Sequence, residues 1–154
     1  MARQSSQVAK MSVAEIVAVL GGRKTFKRAV KSTDDLARQV RTGLPASTVA
    51  LLAVTLAVEK AQVAKRLNIP SRTLSRRLAT KSRLTHDESD RTLRMARVVA
   101  LARGVLGSDE KASHWMSNPN RALGGRKPFD ELDTEPGVRS VEQVLYSIAY
   151  GLYS

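Results

Sequence analysis

Residues 61–78, AQVAKRLNIPSRTLSRRL, constrain the fold more than any other stretch. Val63, Leu67, Ile69, Leu74 and Leu78 are spaced so that two short helices bury them on one inner face. Ala64 is small where those helices must cross. Asn68 stands at the turn, where the backbone needs positive φ and Asn ranks next after Gly. Pro70 presets the backbone at the start of the second helix. The pattern predicts a helix-turn-helix over 60–78 whose second helix presents Ser71, Arg72, Ser75 and Arg76 outward. A plain helical hairpin with solvated arginines has the same spacing, but turn chemistry and charge both favour DNA reading.

The rest of the chain reads as helices of the same length scale. Helices are expected from Ser12 to Leu20, Thr33 to Arg41, Ala46 to Val58, Thr85 to Leu106, Asp109 to Met116, and from Arg139 or Ser140 to Ala149. Ser12 with Glu15 and Thr85 with Glu88 have capping-box spacing, Ser32 or Thr33 caps the second helix, and Pro45 opens the third. Gly21-Gly22, Gly43 and Gly107 are stops. Aromatic residues make up only 4% of a chain that is 42% hydrophobic, so the core must be Ala, Val and Leu in helices. No strand alternation is evident. The fold class is therefore all-α, organised as a flexible arm (1–11), a helical DNA-binding region (12–106) and a small helical C-terminal domain (107–154).

Charge is distributed unevenly. Residues 1–105 carry 21 Lys and Arg against 7 Asp and Glu, whereas residues 106–154 carry 5 against 7. A basic helical region attracts polyanions, operator DNA above all here. Arg72 and Arg76 can each donate two hydrogen bonds to guanine, and Ser71 and Ser75 can bond bases or phosphates. Lys65, Arg66, Arg77, Lys81 and Arg83 are expected to flank them on phosphates. Arg77 holds a place that is often apolar in such motifs, so its stem is expected to pack while its head reaches a phosphate.

Other chemistries find little support. There is no cysteine, hence no disulfide or thiolate site, and the apolar run Val49–Val58 is about half a membrane span. The start, MARQSSQVAK, has no secretory pattern, which leads to the expectation of a cytoplasmic protein. His86-Asp87-Glu88 and His114 form no triad or zinc motif, so no catalytic residue, metal or cofactor is assigned. LGGRKTF at 20–26 and LGGRKPF at 123–129 are near-repeats that could cradle phosphate, but they lack the full Walker spacing and read as glycine-closed helix ends. Trp115 is expected to anchor the core against the last helix, with a hot-spot contact to a partner as the alternative. Asp130, Glu131, Asp133 and Glu135 make an acidic patch suited to a helix start or to a basic partner.

From Leu84 onward the chain reads RLTHDESDRTLRMARVVALARGVLG and then ASHWMSNPNRALGGRKPFDELDTEPGVRSVEQVLYSIAYGLYS. This closely resembles the Xre/MbcA/ParS-type antitoxins, and GLPAST and IPSRTLSRR resemble their N-terminal regions. Pro70, where Ser is more usual, and Phe129, where Leu is common, are departures. The resemblance implies a cognate RES-domain toxin that depletes NAD, toxin capture by the C-terminal region, repression of the chain's own operon, and a homodimer. NAD would be the toxin's substrate and not a cofactor of this chain. A stand-alone regulator without a toxin is the competing reading, disfavoured by the C-terminal resemblance.

The apolar faces of the helices at 87–106 and 140–149 are the expected dimer contacts. Tyr150, Gly151, Leu152, Tyr153 and Ser154 are the expected toxin-binding residues. Gly151 breaks the helix, the tyrosines offer broad contact area, and Ser154 adds a hydroxyl and a negative charge suited to an arginine-bearing pocket. The resemblance places this end at the toxin's active-site entrance.

Overall fold

The computed structural model describes residues 12–151, so the expected arm at 1–11 and Leu152, Tyr153 and Ser154 lie outside the described residues. Within them eight α-helices follow in order: α1 Val13–Val19, α2 Thr33–Thr42, α3 Ser47–Leu56, α4 Lys60–Arg66, α5 Ser71–Thr80, α6 His86–Leu106, α7 Asp109–Met116 and α8 Glu135–Ala149. Short 3-10 turns lie at Gly22–Lys24, Arg121–Leu123 and Pro128–Asp133. Extended pairing among the described residues is limited to two isolated bridges, Pro45 with Arg83 and Asn120 with Arg126. The all-α class stands. No single described helix is long and apolar enough to cross a membrane.

Local chemistry sets most boundaries. Ser32 accepts the Asp35 N–H at 3.1 Å while the Asp35 carboxylate accepts the Ser32 N–H at 3.2 Å, closing a capping box on α2. Thr85 and Glu88 do the same for α6, at 3.2 and 2.8 Å. The box expected at Ser12 does not form: its side chain makes no cap bond, and Glu15 donates its N–H to the Ser12 carbonyl instead. α3 starts at Ser47 with Ala46 as its cap, because Pro45 is held outside the helix by its bridge to Arg83. α8 starts one turn earlier than expected. Thr134 accepts the Gly137 N–H at 3.0 Å, and Pro136 sits in the first turn, where a missing N–H costs nothing.

α6 is the central element and packs against α1, α2, α3, α7 and α8. Its Met95, Val98, Val99 and Leu101 are buried, as are Val138, Val141, Val144 and Leu145 of α8. Each such side chain contributes about 1.5–3 kcal/mol by leaving water. One continuous core runs from Ile16 to Leu145. This narrows the dimer contacts expected from sequence: most of the apolar faces of α6 and α8 are buried within the chain, while Leu93, Val105, Tyr146, Ile148 and Ala149 stay partly exposed. The linkers 43–46 and 82–84 are stitched by Leu84 N–H to Leu44 O (2.8 Å) and Ala46 N–H to Ser82 O (3.1 Å). Gly43 is required there. Its φ is 100°, and a β-carbon would approach the Leu84 carbonyl oxygen to 2.4 Å.

Candidate nucleic-acid interface and C-terminal site

α4 and α5 form the helix-turn-helix. Val63, Ala64, Leu67, Ile69 and Leu74 are buried and Leu78 is partly so. Asn68 adopts φ 55°, the left-handed turn its position demands. Pro70 is the cap of α5 rather than its first helical residue. Ser71, Arg72, Ser75 and Arg76 are all exposed on α5, in pairs one turn apart. Lys65 and Lys81 are also exposed, and none of these four cations joins an ion pair among the described residues. Unpaired Arg and Lys on the outer side of such a helix are what contact with bases and phosphates requires.

Among the expected phosphate ligands, Arg83 donates to the Gly43 carbonyl at 2.7 Å, and two more are held by carboxylates. The Arg77 guanidinium donates to the Glu88 carboxylate, and the two side chains are only 16% and 9% exposed. Arg66 donates to Asp130 at 2.5 Å and lies 5.1 Å from the centre of the Phe129 ring. Both heads therefore brace the fold: Arg77 ties α5 to α6, and Arg66 ties α4 to the Pro128–Asp133 turn. Arg91 adds a third brace, donating from Nε to the Leu67 carbonyl at 2.7 Å. Partners 11, 64 and 24 residues away leave no trace in local pattern. Glu88 is the one functional surprise with a visible signal, since its capping spacing places it at the start of α6. Burial alone would raise its pKa, but hydrogen bonds from Thr85 and Arg77 outweigh that and lower it.

The C-terminal region is a shell around the end of α6. Asn118 donates to the His114 carbonyl at 2.6 Å, and Asn120 accepts the Ala122 N–H at 2.9 Å. Leu123 inserts into the core, 4% exposed. Gly124 and Gly125 then reverse the chain with φ 66° and 84°. Trp115 is partly buried and packs against the core, with the fully buried Met116 beside it, and α7 packs on α3, α6 and the Pro128–Asp133 turn. The acidic residues are distributed among arginines: Asp130 to Arg66, Glu131 to Arg126 and Glu135 to Arg139. Tyr146 and Tyr150 stack on α8 with centroids 6.5 Å apart, and Tyr150 is 45% exposed. Burial and the Glu142 carboxylate raise the Tyr146 hydroxyl's pKa, keeping it a neutral donor. Gly151, with φ 68°, turns the chain out of the helix.

Residues 35–97 match the Antitoxin Xre-like helix-turn-helix domain, and residues 101–151 match the Antitoxin Xre/MbcA/ParS C-terminal toxin-binding domain. The chain is 32% identical to Antitoxin Xre of Yersinia enterocolitica over 77% of its own length and 81% of the relative's. It is 42% identical to Antitoxin Xre of Pseudomonas putida over 54% of itself and 52% of that protein. A chain in the crystal structure of the M. tuberculosis MbcT–MbcA toxin–antitoxin complex superposes with a TM-score of 0.54 and 26% identity, covering 71% of this chain and 96% of that one.

Proposed function

Because the chain belongs to the Xre/MbcA/ParS antitoxin family, with its helix-turn-helix and its C-terminal toxin-binding domain, we propose that it neutralises a RES-domain toxin that depletes NAD and represses the operon encoding the pair. The observation that carries the repressor half is the exposed, unpaired Arg72 and Arg76 on α5, braced from behind by Arg77–Glu88. A single helix-turn-helix reads few base pairs, so the DNA-bound form is a homodimer whose two recognition helices meet half-sites about 34 Å apart. The toxin half rests on residues 107–154. There α8 and its neighbours offer the contact surface, while Tyr150, Gly151, Leu152, Tyr153 and Ser154 obstruct the toxin's active-site entrance. The chain itself acts by binding and performs no catalysis.

The test separates the two halves. The R72A/R76A variant should lose promoter affinity and discrimination, at about 1–3 kcal/mol for each good base contact, and still suppress NAD loss by the toxin. Deleting 152–154 should leave DNA binding intact and release NAD consumption by a toxin encoded in the adjacent reading frame. Promoter affinity unchanged in the double variant refutes the recognition helix. Equal inhibition by truncated and full chains refutes the obstruction.

A further inference from the structure

Residues 23–31, RKTFKRAVK, hold five cations and no acid. They precede the part of the chain matched by the helix-turn-helix family, which begins at residue 35. The segment is a strap between α1 and α2, largely non-helical but fixed. Thr25 and Phe26 donate their N–H groups to the Gly22 carbonyl at 3.1 and 3.0 Å. Phe26 is 6% exposed, and Val30 packs against the core. Arg23, Lys24, Lys27, Arg28 and Lys31 all point into solvent, and none pairs with a carboxylate of the described residues. Elsewhere on the molecule arginines find acids readily, as Arg38, Arg66, Arg77 and Arg126 do. The Asp35 carboxylate accepts the Lys31 backbone N–H at 3.0 Å at one end of the strap, but the clustered like charges still raise the local potential and favour a polyanion.

The strap is next to the recognition helix across one element. Gly21 approaches α3 so closely that a β-carbon there would come within 2.6 Å of Leu51 Cδ1. Ala50 and Val54 of the same helix, with its cap residue Ala57, form a groove with Ser71, Ser75 and Leu78. On a helix turning about 100° per residue, Val54 falls between Ala50 and Leu51. Val54 is 77% exposed, so this strip of α3 is open surface bordered by α5 on one side and, on the other, by Gly21, from which the basic strap departs. α3 is about 10 Å across, roughly half the width of a DNA duplex.

We infer that the 23–31 strap is a second phosphate-contacting surface, gripping the DNA backbone beside the site read by α5. The inference rests on the DNA-reading assignment of α5 but makes a separate demand. Phosphate contacts position a protein and set its salt dependence, whereas base contacts set its discrimination. The K24Q/K27Q/R28Q variant should therefore bind promoter and random duplexes more weakly by similar factors. Its slope of log K against log salt should be shallower by about 2–3, at about 0.9 per phosphate lost. The ratio of specific to random affinity should stay unchanged. A variant with the same charge loss far from the strap, K111Q/R121Q/K127Q, serves as control, and circular dichroism checks both folds. An unchanged slope in the strap variant, or equal changes in strap variant and control, overturns the inference. The latter would reduce the effect to net charge. Loss of toxin capture with an unchanged slope also overturns it, by assigning the strap to the toxin. R72A/R76A measured in parallel keeps the two readings apart. If it behaves as the parent while the strap variant loses slope, the recognition helix is misassigned and the strap stands.

Discussion

Glu88→Gln isolates the contact that holds the recognition helix to the centre of the fold. Glu88 closes the capping box on α6 and accepts from Arg77 of α5, and its side chain is only 9% exposed. Gln keeps the volume and can still accept the Thr85 N–H, so the cap survives and only the charge opposite Arg77 is lost. A hydrogen bond to a charged group contributes about 1.5–3 kcal/mol. For a chain of this length that lowers the melting temperature by about 4–10 °C. The effect carries a pH signature. The folded-state pKa of Glu88 lies below its ordinary 4.5, so its contribution is complete above that value and is lost as pH falls through the lowered one. E88Q has nothing to titrate there. The stability gap between parent and variant should be constant near neutrality and close in acid below about pH 4, the range where an unperturbed carboxylate protonates. Chemical unfolding at a series of pH values reads this directly. R77A should show a loss that is not additive with E88Q, since the two share one interaction. A gap that persists unchanged at pH 3, or strict additivity of the two substitutions, refutes the coupling.

Two further expectations concern stability. Gly137→Ala places a β-carbon 1.9 Å from the Glu131 carbonyl oxygen; with backbone on the other side the clash cannot relax cheaply, and a loss of about 1–3 kcal/mol is expected in denaturant unfolding. Ser32→Ala should cost about 1 kcal/mol by opening a formed capping box, whereas Ser12→Ala, whose side chain makes no cap bond, should change little; equal losses at the two sites in thermal melts would show that the caps are misread.

Much of the local structure is legible in the sequence because it depends on residues four or fewer apart. Helical spacing of Val63 with Leu67 and of Leu74 with Leu78, the left-handed turn at Asn68, the Thr85–Glu88 box and the stops at Gly43 and Gly107 are all of this kind. So is the outward display of Arg72 and Arg76, which follows from the phase of the helix whose other face is apolar. By the same reasoning Arg66 and Arg77 stand apart as flanking residues, with the Arg77 stem expected to pack, but the carboxylates that capture their heads are not visible there. Their fates diverge from those of Arg72 and Arg76 because α6 brings Glu88 to Arg77 and the Pro128–Asp133 turn brings Asp130 to Arg66. Packing also decided which apolar faces are available. Most of the α6 and α8 stripes are buried within the chain, which leaves only their partly exposed ends and flanks on the surface. Gly137, silent in sequence as an ordinary residue of a first turn, is fixed by the backbone that lies against it. Helix phase and capping are determined by covalent neighbours and were open to reading in the sequence. Which charge meets which, and which surface is left bare, depends on residues tens of positions apart meeting in space, and only the tertiary structure decided it.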